Sequence, residues 1–120
     1  MTAGNRIASA ALVRAPQPTR VIRLTGRLTY GPACEERYRE LCRVIQKGFR
    51  RVIFDLSAVP DIDSAGIGFL VGCLTTLRLS GGTLCLAAPS GRVLRALLIT
   101  NLERVFPVAE SAEAAMQSGV

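Results

Sequence analysis

Apolar and polar positions along this chain switch between a period of two and a period near 3.6. A weak apolar run over Ile7–Val13 follows a loose terminus at Met1–Asn5 and reads as an edge strand, broken by Pro16 and Pro18. Arg20 to Leu24 is apolar and β-branched and ends at Gly26, so a second strand is expected, paired with the first through a proline-containing turn. Tyr30-Gly31 then supplies a turn, and Pro32 suits a first helical position, where its missing N–H has no partner to lose. Ala33, Tyr38, Leu41, Cys42 and Ile45 fall on one helical stripe, with Glu36, Arg39, Glu40, Arg43 and Lys47 toward water and Gly48 ending the element.

The run from Arg51 to Leu56 is strand-like and almost wholly apolar, as for a strand buried on both faces. Ser57, Pro60 and Asp61 give turn chemistry, and Ile67, Leu70, Val71, Leu74 and Leu77 then repeat at three and four, predicting a helix from Ser64 to about Leu79. Gly66, Gly68 and Gly72 weaken its propensity and point to close helix packing or to the backbone of a partner. Gly81-Gly82 stops it, Thr83–Ala87 is a short buried strand, and Pro89-Ser90 opens a helix to about Ile99. In that helix Val93, Leu94, Leu97 and Leu98 are expected inward, with Arg92 and Arg95 outward. Val105–Val108 reads as a last strand and Glu110-Ser111-Ala112-Glu113 as the start of a terminal helix. The order ββαβαβαβα predicts an α/β fold: a mostly parallel sheet of four to five strands with one antiparallel N-terminal strand, flanked by about four helices.

With 120 residues the chain fits a single domain over 1–120, its core at about 18–117. Hydrophobic content of 49% with 5% aromatic residues and no Trp implies an aliphatic core. No run reaches the roughly 18 apolar residues of a membrane span, which predicts a cytoplasmic protein without stable membrane insertion. Cys34, Cys42, Cys73 and Cys85 show no C-x-x-C pairing, and without histidine they complete no zinc site, so they read as small core residues and no metal is expected. The net charge of +6 is spread over arginines along the whole chain and reads as a solvated surface; with few aromatic residues, no nucleic-acid partner is expected.

Ser64 carries the candidate chemistry. Asp63 and Ser64 are both good N-cap types at a helix start, where unpaired N–H groups and a partial positive charge favour anions. A phosphate on Ser64 is therefore compatible with the fold, although on the residues alone a plain cap is the preferred reading of the serine. Asp55, Asp61 and Asp63 are the only charged residues between Arg51 and Arg78. Intrinsic catalysis finds little support. There is no histidine, the sole lysine lies at a solvated helix end, and Gly66-Ile67-Gly68 lacks the third glycine of a dinucleotide fingerprint, Val71 standing there.

Asp61-Ile62-Asp63-Ser64-Ala65-Gly66, following Val52-Ile53-Phe54-Asp55-Leu56, resembles the signature of STAS domains, in particular bacterial anti-sigma factor antagonists. Val21–Leu28, Gly81–Leu84 and Leu102–Val108 resemble further segments of that family in the same order. The resemblance implies phosphorylation of Ser64 by an anti-sigma factor that is a serine protein kinase, and reversal by a serine phosphatase. It places Asp55, Asp61, Asp63, Ser64, Ala65 and Gly66 on the partner-binding surface, with no cofactor in the chain itself. The unphosphorylated form would bind the anti-sigma factor and free the sigma factor; the oligomeric state stays open. The competing expectation is a STAS module without a switch, in a lipid or anion transport system or a sensory scaffold, which the arginine excess suits.

Overall fold

The computed structural model describes residues 18–29 and 31–118. The expected features at Met1–Asn5, Ile7–Val13, Pro16 and Tyr30, and the side chain of Ala33, lie outside the described residues. Within them the chain forms β1 (Thr19–Thr25), α1 (Pro32–Gln46), β2 (Arg51–Ala58), α2 (Ser64–Leu79), β3 (Thr83–Ala87), α3 (Gly91–Ile99), a 3-10 turn at Leu102–Arg104, β4 (Val108–Ala109) and α4 (Ala112–Ser118). The strands pair in chain order, β1-β2-β3-β4, and every described pairing is parallel. The antiparallel strand expected at the start has no counterpart among them.

Strand-helix-strand units between neighbouring parallel strands take right-handed crossovers, which puts α1, α2 and α3 on one face of the sheet. Alternation along each strand follows from this. Ile22 and Leu24 of β1, Val52, Phe54 and Leu56 of β2, and Leu84 and Leu86 of β3 pack under the three helices with Leu41, Leu70, Leu77, Val93 and Leu97. The Phe54 and Phe69 rings stack with centroids 6.3 Å apart. Truncating a buried side chain such as Phe54 to alanine costs about 3–5 kcal/mol, because the cavity does not fully collapse. On the other face Ile53, Cys85 and Ala87 meet Ala115 of α4. The guanidinium of buried Arg51 reaches across that face to the Ala115 carbonyl and the Thr19 hydroxyl.

Three expectations need correction. On α1 the core stripe runs through Leu41 and Val44, whereas Tyr38 is exposed and its hydroxyl meets that of Thr76 at 2.8 Å. On α3 only Val93 and Leu97 are buried, an i, i+4 pair with Ala96 packed beside it, whereas Leu94 and Leu98 are exposed. The expected strand Val105–Val108 shrinks to Val108–Ala109. Its first residues instead close the 3-10 turn, with the Val105 and Phe106 amides on the Leu102 carbonyl, so that Phe106 plugs the core; Pro107 has no N–H for a ladder and offers only its carbonyl, to the Leu86 amide at 2.9 Å.

Candidate functional site

Ser64 is the first residue of α2, at the edge of the sheet where the strands end. Asp63 is the N-cap: its backbone is extended (φ −110°, ψ −174°) and its carboxylate accepts the Gly66 amide at 2.8 Å. That satisfies one orphan donor of the first turn, and the Asp63 charge also complements the helix dipole. Ser64 is exposed, and its hydroxyl makes no hydrogen bond among the described residues. The structure thus separates the two N-cap candidates: aspartate caps and serine is spare.

The loop before the helix is held by backbone. Past the end of β1 the Gly26 amide donates to the Ala58 carbonyl at 3.1 Å, the Leu28 amide to the Asp61 carbonyl at 3.1 Å, and the Asp63 amide to the Leu28 carbonyl at 3.3 Å. Leu28 and Ile62 form a parallel bridge, both buried. Gly66 seats against this tether: a Cβ there would overlap the Leu28 carbonyl and stand 2.7 Å from Ile62 Cγ1. Gly66 is therefore buried and shapes the site from below, while Ala65 is exposed beside Ser64. Ser90 adds a strut, its hydroxyl donating to the Val59 carbonyl at 3.1 Å.

The aspartates have separate tasks. Asp55 is half-buried at the irregular end of β2, where pairing with β1 slips by one residue, and its carboxylate accepts the Ser57 amide at 2.9 Å. Asp61 accepts its neighbour Ile62's amide at 2.9 Å and pairs with Arg27 at 3.0 Å. The Ile62 amide, and then Arg27 with Arg92 beyond it, hold the Asp61 carboxyl below its ordinary value. Arg27 and Arg92 correct the picture of an unrelieved acidic neighbourhood around Ser64. They come from elements distant in the chain, brought alongside by the parallel register, and no local periodicity marks them.

Beyond Ser64 the exposed side of α2 is flat. Added Cβ atoms at Gly68 and Gly72 would meet nothing within 4 Å, so packing inside this chain explains Gly66 and not the other two. A groove of about 410 Å³ runs between α1 and α2, lined by Cys34, Glu35, Tyr38, Arg39, Phe69 and Gly72. Among the described residues no cluster of His, Cys, Asp or Glu could hold a metal ion, and no helix is long and apolar enough to cross a membrane.

Comparison with known proteins agrees with this architecture. Two bacterial relatives bear the name "Putative anti-sigma factor antagonist". One, from Thermotoga maritima, is 34% identical over 61% of this chain; the match spans 65% of that relative, just under two thirds of its length. The other, BtrV of Bordetella bronchiseptica, is 36% identical over 68% of this chain and 70% of its own. The crystal structure of a protein of the same description from Thermotoga maritima superposes with a TM-score of 0.72 at 28% identity, covering 82% of this chain and 86% of that one. The family model for the STAS domain matches residues 10–115, a span that holds the four-stranded parallel sheet, its helices and the Ser64 helix start, and the chain belongs to the STAS domain family.

Proposed function

We propose that this chain is an anti-sigma factor antagonist. Its unphosphorylated form binds an anti-sigma factor with serine kinase activity and releases the sigma factor; phosphorylation of Ser64 ends that binding, and a serine phosphatase restores it. The kinase brings ATP and metal, and this chain is the substrate. The observation that carries the reading is the division of labour at the start of α2: Asp63 does the capping, so the exposed Ser64 hydroxyl is available for modification without cost to the fold. The names of the relatives point the same way.

The switch works by local electrostatics. Phosphorylation adds about −1.5 to −2 charges, which leaves a chain of net charge +6 still basic. Against a partner surface built around a bare hydroxyl, however, the phosphate must shed water without compensation. A penalty of about 3 kcal/mol weakens binding roughly a hundredfold. The flat strip at Gly68 and Gly72 supports the same docking face, since it lets a partner backbone approach α2 closely.

The test is capture from native lysate with wild type, Ser64→Ala and Ser64→Asp as baits, with bound proteins identified by mass spectrometry. An ATPase-type kinase held by wild type and Ser64→Ala and lost with Ser64→Asp supports the switch. The same partner on all three baits, or a transport ATPase in place of a kinase, replaces it with the non-switching module.

A further inference from the structure

The end of the fold remote from Ser64, where the strands begin and α1, α2 and α3 finish, has a character that packing does not explain. Leu79, the last residue of α2, is 85% exposed, and Ile99, the last of α3, is 73% exposed; they are the most exposed large hydrophobic residues among those described. Around them the surface is basic. Arg78 precedes Leu79, Lys47 follows α1, and Arg20 lies over the Phe49 ring, 5.5 Å from its centroid. Arg50 donates to the Ile45 and Phe49 carbonyls, and the Thr83 amide donates to the Arg50 carbonyl at 2.8 Å, which joins the turn after Leu79 to this cluster.

Carboxylates are sparse in the segments that build this end. No Asp or Glu occurs between Glu40 and Asp55, or between Asp63 and Glu103. Glu103 itself pairs with Arg104 at 3.9 Å. Cations near helix C-termini offset the dipole, which accounts for Arg78 and Lys47 on structural grounds. It gives no reason for two helices to end on aliphatic side chains in water.

We propose that this end docks peripherally on an anionic phospholipid surface, with Leu79 and Ile99 entering the boundary of the acyl region and the basic residues meeting the headgroups. The chemistry selects lipid over other anionic partners. Two separate aliphatic tips in a cationic surround need no shaped complement, as a fluid planar surface offers none, and the Phe49 ring at this end is half-buried with Arg20 over it, which does not leave it open to stack on a nucleobase. Each Lys or Arg near such a surface is worth roughly a factor of five in affinity. Ser64 lies at the opposite end of a helix of 16 residues, about 24 Å away, so lipid docking leaves the partner site open and stands apart from the reading of Ser64.

Sedimentation of the full chain with vesicles of phosphatidylcholine, alone or mixed with phosphatidylglycerol, tests this, with thermal melts confirming that each variant is folded. Expected are binding to the mixed vesicles and not to phosphatidylcholine alone, several-fold weakening from about 0.05 to about 0.5 M salt, roughly a fivefold loss with Arg78→Gln, and a loss of at least tenfold with Leu79→Ser combined with Ile99→Ser. No sedimentation with the mixed vesicles overturns the proposal. So does undiminished binding by the double variant, which reduces the effect to general charge, or self-association of wild type abolished by that variant, which makes the face a contact between copies of this chain.

Discussion

The Asp63 carboxylate accepts the Gly66 amide at 2.8 Å, reaching over Ser64 to do so. Asp63→Ala therefore removes a cap and destabilises the fold by about 1 kcal/mol. Ser64→Ala and Ser64→Asp stay within about 0.5 kcal/mol of wild type, as surface changes do. Urea denaturation of the three variants checks this. A larger loss for Ser64→Ala than for Asp63→Ala would return the serine to a structural role.

The glycines of α2 separate in the same assay. Gly66→Ala drives a methyl group into the Leu28 carbonyl and Ile62, costing about 1–3 kcal/mol or more. Gly68→Ala and Gly72→Ala place theirs in open space, so each stabilises the free protein by about 0.5–1 kcal/mol. If the flat strip serves a partner, these two stabilised variants bind it more weakly than wild type.

Asp61 links pH to Arg27. Its carboxyl is held below the ordinary value of 3.8 first by the Ile62 amide and then by Arg27. A depressed folded-state value means that the contribution to stability is present above the ordinary aspartate range and is lost as pH falls through the folded-state value. Arg27→Gln should raise the Asp61 midpoint partway, since the Ile62 amide remains, and should shrink the loss of stability on acidification. A carboxyl-detected NMR titration of both proteins reads the midpoint directly.

The cysteines should react in two classes. Burial pushes the Cys73 thiol up to about 12 and raises that of Cys85 as well, while Cys34 and Cys42 are half-buried. Only the thiolate is nucleophilic. Alkylation of the native protein near neutral pH, followed by mass spectrometry, should label Cys34 and Cys42 well before Cys73 and Cys85, and all four together once the chain is unfolded.

Local signals made α2 legible: turn residues, a cap candidate, apolar spacing from Ile67 to Leu77, and Gly81 at the stop. The same signals found α1 from its proline and β2 from its unbroken apolar run. What they could not supply was register. The Arg27–Asp61 pair and the seat of Gly66 under Leu28 exist because β1 and β2 run side by side past their ends, a relation over more than thirty positions in the chain. Periodicity groups Leu94 and Leu98 with Val93 and Leu97, but how much of a helix is covered depends on what packs against it. The shortness of β4 follows from Phe106 turning inward beside a proline that has no amide hydrogen to give.

Arg51 has a consequence for biosynthesis. It opens β2, yet its buried charge is satisfied in part by the Ala115 carbonyl of α4, which is made 64 residues later. Among the described residues α4 alone covers the face formed by Ile53, Cys85 and Ala87. A ribosome-bound chain that holds β1, β2 and β3 but not yet α4 thus lacks the Ala115 contact on that face and one of the acceptors of the Arg51 guanidinium. Covering of that face waits for α4, and a nascent chain stalled before α4 is more exposed to chaperones and proteases than one that has made it.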